Sequence, residues 1–226
     1  MTKNCAIILA AGKGKRMGAN INKIFLNLKD KPILYYTINA FEVHKDVDDI
    51  ILVASKNEVK ECKNLIEKYK FKKVLKIVEG GSERQNSVFN GLKAVDKDTD
   101  IVLIHDGARP FVTADIISDG IKYANLYGIA SCGVTPKDTI KVKNEEGFSM
   151  ETLDRSKLIN IQTPQCFKYN IIYSCHDKIK DTNISVTDDT SVTEYFGYKT
   201  FLYDGQYTNI KITTYEDMIF GENLIK

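Results

Sequence analysis

Ala6-Ile7-Ile8-Leu9-Ala10 runs directly into Ala11-Gly12-Lys13-Gly14-Lys15-Arg16-Met17-Gly18, and this junction decides the fold class. A run of consecutive apolar residues suits a strand buried on both faces of a parallel sheet. The glycines after it permit tight backbone with amide N–H groups turned toward an anion, and Lys13, Lys15 and Arg16 add charge at the same place. The segment reads as a strand feeding a phosphate cradle. Two better-known cradles do not match: the dinucleotide fingerprint wants a third small residue where Met17 stands, and a Walker loop wants Ser or Thr where Arg16 stands. Lys23 follows shortly, ahead of Phe25 and Leu26, and so close to the cradle it is a candidate second phosphate ligand.

Working outward, Ile50-Ile51-Leu52-Val53-Ala54, Val74-Leu75-Lys76-Ile77-Val78 and Ile101-Val102-Leu103-Ile104 repeat the apolar run and are read as further central strands. Between them lie helical patterns. Ile33, Tyr36, Ala40 and Phe41 follow Pro32, placed at a first helical position, and Val88, Leu92 and Val95 follow Ser82 with Gln85 three residues on, a capping box. The order βαβαβα predicts an α/β doubly wound sheet. From Lys137 to Ile161 the pattern alternates around Asn144-Glu145-Glu146-Gly147, a hairpin arm too narrow to own a core, which must lie on its own sheet or on a second subunit. Beyond it the sequence predicts helices over 169–179 and 188–196, strands over 200–203 and 209–212, and a last helix from Tyr215 capped by Thr214. The whole chain is expected to be one domain, 1–226.

The composition excludes several classes. With 226 residues, 43% hydrophobic and 27% charged, the chain buries one sizeable core. A net charge of +2 disfavours general nucleic-acid binding, so attraction to phosphate must be local. The apolar run near the N-terminus, Ala6 to Ala11, is far short of a membrane span, and five scattered cysteines without a C-x-x-C pair suit reduced thiols, so a cytoplasmic protein is expected. The three histidines stand apart and suggest no mechanism.

His105-Asp106-Gly107-Ala108-Arg109-Pro110-Phe111 ends the Ile101 strand, where ligands of open α/β sheets bind. Asp106 is a candidate ligand for a divalent cation such as Mg²⁺ bridging phosphates, and Arg109 a candidate grip on a phosphate-bearing substrate. Asp138-Thr139, Asp154-Arg155, Thr163-Pro164-Gln165, Thr187-Asp188-Asp189 and Asn209 to Thr213 read by composition only as turns and caps.

Taken together, Ala10-Ala11-Gly12-x-Gly14-x-Arg16-Met17, Gly80-Gly81-x-x-Arg84-x-x-Ser87-Val88, the His105 to Pro110 segment, Asp154-Arg155, Gln162 to Gln165, Thr187-Asp188-Asp189 and Asn209-Ile210-Lys211 resemble the 2-C-methyl-D-erythritol 4-phosphate cytidylyltransferases of the non-mevalonate isoprenoid pathway. The resemblance implies a Rossmann-like, mostly parallel sheet with helices on both faces (nucleotide-diphospho-sugar transferase-like), a protruding β-arm over 137–161 and a homodimer formed through it. It implies CTP as co-substrate, Mg²⁺ or another divalent cation, no nucleic acid and no membrane. Ala10, Ala11, Gly12, Gly14, Gly81, Ser82 and Ser87 would surround the nucleotide. Arg16, Lys23 and Lys211 would be catalytic, at the triphosphate. Asp106, Arg109, Thr163 and Thr187 would hold the methylerythritol phosphate, with Thr139 and Arg155 supplied by the partner's arm. One departure is local: Asn22-Lys23-Ile24 stands where the family often has Pro-Lys-Gln. Two other readings share the cradle, a ribitol 5-phosphate cytidylyltransferase and a catalytically silent CTP-binding module.

Overall fold

The computed structural model describes residues 2–12, 22–180, 182, 184 and 186–225. Its elements in chain order are β1 (Asn4–Leu9), a small hairpin of β2 (Asn27–Leu28) and β3 (Lys31–Pro32), α1 (Ile33–Glu42), β4 (Asp49–Ala54), α2 (Val59–Tyr69), β5 (Val74–Glu79), α3 (Arg84–Ala94) and β6 (Ile101–Asp106). There follow α4 (Ala114–Tyr127), β7 (Ile129–Val134), the hairpin of β8 (Lys141–Lys143) and β9 (Ser149–Thr152), β10 (Asn160–Lys168), α5 (Tyr169–Ile179), α6 (Asp189–Tyr195), β11 (Phe201–Asp204) and α7 (Tyr215–Leu224). Seven strands make one sheet in the order β11-β7-β10-β6-β1-β4-β5, parallel except for β10, which runs antiparallel to β6 and β7.

Side chains alternate across this sheet, and each face is covered. Ala6, Ile8, Ile50, Leu52 and Leu103 pack against Leu34, Ile38 and Phe41 of α1, Cys62 and Leu65 of α2, and Ile116 and Ile117 of α4. Cys5, Ile7, Ile51, Val53, Val102 and Ile104 meet Val88 and Leu92 of α3 and Ile172 of α5. Burial on both faces is why these strands read as unbroken apolar runs. All five cysteines are buried, four in these layers and Cys175 in a small cluster with Ile179 and Val192 between α5 and α6. Among the described residues no helix is long and apolar enough to cross a membrane.

The chain progresses from β1 through β4 to β5 on one side and then returns to place β6 on the other, so the topology reverses between β1 and β6. Leu9 and Asp106, the last residues of the two strands, are register partners there. A crevice at such a switch point is the default ligand site of an open α/β sheet.

Several local expectations are corrected. β5 lies at the sheet's edge and not in its centre, with Leu75 exposed. β7 and β10 were not foreseen as strands. Pro32 precedes α1 as its N-cap, and α3 starts at Arg84 behind Glu83, so Ser82 closes no capping box; its hydroxyl bonds to Asn86 Oδ1 at 3.2 Å instead. Residues 209–212 form no strand: a single backbone bond, Ile212 N–H to Ala108 O at 2.8 Å, ties them to the loop after β6. Within the expected 137–161 arm the hairpin is β8 and β9, every residue of both exposed and the turn closed by Gly147 at φ +93°, while Asn160 and Ile161 belong instead to β10 of the main sheet. The final helix carries the expected Thr214 cap, with Asp217 completing a capping box.

Candidate active site

The carboxyl ends of β1 and β6 open into a cleft of about 600 Å³. One wall is neutral and made by Ala10, Ala11, Gly12, Gly81, Ser82 and Ser87. Ala10 N–H donates to Val53 O at 2.7 Å and Gly80 N–H to Ala54 O at 2.8 Å, which draws the turn after β5 against the ends of β1 and β4. A Cβ on Gly80 would fall 2.6 Å from Ala11 Cβ and 2.9 Å from Ser87 Oγ, so this close approach demands glycine. Ser87 Oγ accepts from Gly81 N–H at 3.0 Å and donates to Glu83 O at 3.0 Å, fixing the loop that begins α3.

The opposite wall is ionic. Asp106 is buried, with Lys211 Nζ 2.8 Å and Arg109 Nε 3.7 Å from Oδ2, and Arg84 Nε 4.0 Å from Oδ1. Burial pushes its carboxyl up, but Lys211 first, then Arg84 and Arg109, more than offset this and hold it down at about 2. Gly107 turns the chain immediately, its N–H bonded to Leu9 O at 2.9 Å. Behind Asp106 lies a chain of fixed donors. The fully buried His105 is lowered to about 4 by desolvation and is neutral at pH 7. Its Nε2 donates to Arg109 O at 3.0 Å, and Nδ1 accepts from the Thr163 hydroxyl at 3.0 Å, whose oxygen accepts from Asp106 N–H at 3.1 Å.

Lys211 reaches this wall because Asn209 is clamped by side-chain bonds. Asn209 Nδ2 donates to Thr163 O at 3.0 Å and Gln162 Oε1 at 3.3 Å, and its carbonyl accepts from Arg109 Nη1 at 2.7 Å. Lys23 enters from the first residue of a 3-10 turn, Lys23–Phe25. Asn22 holds that turn: its Oδ1 accepts from Ile24 N–H at 3.4 Å, while Nδ2 donates to Ala10 O at 3.2 Å and Glu58 Oε2 at 3.0 Å. Ile24 is buried beneath it.

The structure thus brings Ala10, Ala11, Gly12, Lys23, Gly81, Ser82, Ser87, Asp106 and Lys211 to one cleft. Arg109 and Thr163 stand behind Asp106. Thr187 is exposed just before α6, its hydroxyl 3.4 Å from Ser191 Oγ. Thr139 and Arg155 are exposed at the base of the hairpin arm, Arg155 Nη1 donating to Lys137 O at 2.5 Å, and neither lines the cleft. Gly14 and Arg16 lie outside the described residues. Asp106 does not fit a resident cation. An ammonium already stands 2.8 Å from it, and no group of three His, Cys, Asp or Glu side chains able to hold a metal exists among the described residues. Arg84, quoted in the motif but given no role from sequence, lines the cleft. His105, dismissed as a lone histidine, orders the Asp106 strand end; its place next to Asp106 was the available signal.

A family model of 2-C-methyl-D-erythritol 4-phosphate cytidylyltransferase (IspD) matches residues 4–226. The chain belongs to this family. Family members of that name from Clostridium botulinum and Clostridium tetani are 58% and 55% identical to it, each match covering 100% of this chain and 99% and 92% of the relatives. Among solved structures, 4-diphosphocytidyl-2C-methyl-D-erythritol synthase from Anaerococcus prevotii is 33% identical with a TM-score of 0.88, covering 99% of this chain and 98% of that one. The 2-C-methyl-D-erythritol 4-phosphate cytidylyltransferase of Francisella tularensis is 27% identical with a TM-score of 0.82, covering 99% and 100%. Asn22, where the resemblance leads to the expectation of a proline, fixes the turn before Lys23 by hydrogen bonds.

Proposed function

We propose that this chain transfers CMP from CTP to 2-C-methyl-D-erythritol 4-phosphate, giving 4-diphosphocytidyl-2-C-methyl-D-erythritol and pyrophosphate. The observation that carries the reading is the convergence, in one cleft, of a neutral wall of backbone and small side chains with Lys23, Lys211 and an Asp106 held ionised at neutral pH. The neutral wall takes the cytosine and ribose; the cations take the phosphates. An oxygen of the substrate's own phosphate attacks the α-phosphorus in line, a new P–O–P bond forms, and the bond to the β-phosphate breaks with its electron pair leaving on pyrophosphate. That oxygen is anionic near neutral pH, so no protein base is needed. Catalysis is the placing of two mutually repelling anions and neutralisation of the charge they gather, by Lys23 and Lys211 and, as the motif suggests, Arg16. Asp106 keeps Lys211 aimed across the cleft, and Arg109, Thr163 and Thr187 form the side where the methylerythritol phosphate is placed. A divalent cation belongs to this scheme as part of the CTP substrate.

The exposed β8–β9 arm, carrying Val142, Phe148 and Met150 in solvent, supports a homodimer in which the arm covers the partner and delivers Thr139 and Arg155. The buried thiols suit a cytoplasmic location. Pyrophosphate release with CTP and each polyol phosphate tests the reading. Turnover with 2-C-methyl-D-erythritol 4-phosphate is expected; preference for ribitol 5-phosphate, or CTP binding without turnover, overturns it. Replacing the arm by a short glycine loop should give a monomer by sedimentation, and a persistent dimer contradicts the arm's role.

A further inference from the structure

Arg84 is the first residue of α3, and its guanidinium spans two buried carboxylates that belong to different parts of the fold. Nη2 lies 2.6 Å from Asp189 Oδ2 at the start of α6, and Nε faces Asp106 Oδ1 at 4.0 Å at the end of β6. Asp189 is held from the other directions as well. His176 Nε2 is 3.5 Å from its Oδ1, and its backbone N–H donates to Gln165 Oε1 at 3.0 Å. Gln165 Nε2 donates to Asp188 Oδ2 at 2.6 Å, and Gln165 shares β10 with Thr163, which bonds Asp106. A closed circuit results, running Asp106, Arg84, Asp189, Gln165, Thr163 and back to Asp106.

We propose that Arg84 is a positioning residue of the transfer: by bridging Asp189 and Asp106 it sets the gap between the loop that holds the nucleotide and the segment before α6 that carries Thr187. This rests on the cytidylyltransferase reading above. Three features of the circuit call for arginine. A guanidinium presents donors on two edges of one rigid plane and so addresses two carboxylates at once, whereas a lysine ammonium is one point charge on a flexible stem. Asp189 is 1% exposed, and a carboxylate so placed stays ionised only beside a fixed cation; burial raises its pKa, and Arg84 and His176 bring it below the ordinary value. Arg84 also begins the helix whose preceding turn carries Gly81 and Ser82, so a shift of its guanidinium is passed to the neutral wall.

The test uses full-length enzyme with Arg84→Lys, Asp189→Asn and both together, measuring pyrophosphate release at varied CTP and varied polyol phosphate, with a thermal unfolding midpoint for each sample. Each single variant is expected to lose on the order of tenfold to a hundredfold in kcat. KM for the polyol phosphate and KM for CTP should both rise, because the bridge sets the gap from both sides, and the double variant should be no slower than the worse single one, because both break the same bridge. Arg84→Lys within about twofold of wild-type kcat overturns the proposal. Multiplicative losses in the double variant also overturn it, since they mean Arg84 acts on the substrate independently of Asp189. A fallen midpoint with unchanged kcat per folded molecule assigns Arg84 to stability alone and overturns it too. A wild-type enzyme without turnover withdraws the underlying reading and the proposal with it, a result distinct from the other three.

Discussion

The ends of β1 and β6 are register neighbours, yet they meet the cleft in opposite ways. At β1 the chain offers Ala10, Ala11 and Gly12, side chains too small to do anything but let backbone approach a ligand; at β6 it offers Asp106 enclosed by Lys211, Arg109 and Arg84. On the proposed reading the neutral wall recognises by shape. The ionic wall recognises by charge held in place before the ligand arrives, which is where transition-state stabilisation is largest. On the proposed function, one cleft separates the tasks of choosing a nucleoside and of neutralising phosphates.

That division is broken most severely at the cations. Lys23→Ala and Lys211→Ala are each expected to lower kcat roughly a hundred- to a thousandfold, about 3 to 4 kcal/mol, with the unfolding transition little changed. Pyrophosphate release under saturating substrates checks this, and near wild-type turnover in either variant would erase the distinction between the walls. A smaller effect is expected from pH. Asp106 has a folded pKa of about 2 against 3.8 ordinarily, so its contribution is present above pH 4 and disappears as pH falls from there through about 2. The difference is worth roughly 2 kcal/mol. His105, neutral and buried with a pKa near 4 against 6.5, adds its own loss between those two values, because only the unfolded chain takes up that proton. Denaturant unfolding followed from pH 7 to pH 2 should show both losses, with Asp106→Asn abolishing only the lower one. The smallest effect belongs to the neutral wall. Gly80→Ala forces a methyl against Ala11 and Ser87 and should raise KM for CTP about five- to thirtyfold, roughly 1 to 2 kcal/mol, while kcat at saturation changes less. An unaltered KM would mean the wall yields and does not select.

The same contrast explains what could be read from the sequence. β1, β4 and β6 were legible because strands covered on both faces are apolar without interruption; the phosphate-binding role expected of the turn after β1 rests on its glycines and cations, of which residues 13–20 lie outside the described residues. β10 was not legible: within Asn160–Lys168 it buries Gln162, Thr163 and Gln165 and contains Pro164. Those polar groups are satisfied by partners far away in sequence, Gln206 O, His105 and Asp188, which no local pattern announces. β7 was obscured in a similar way by Ser131 and Gly133 within its short run. The stretch around Lys211 looked like a strand from its alternation, but its register is set by Asn209 and not by a ladder. Arg84 was visible as a motif residue; its purpose depended on Asp189, more than a hundred positions later, folding against it.

The central claim is that one triphosphate lies between the two walls, and a crystal structure of the enzyme with CTP bound tests it most directly. The account predicts the cytosine against Gly81 and Ser87, with the α-phosphate between the Lys23 and Lys211 ammonium groups. A nucleotide seated elsewhere, or a triphosphate that neither lysine contacts, would contradict it.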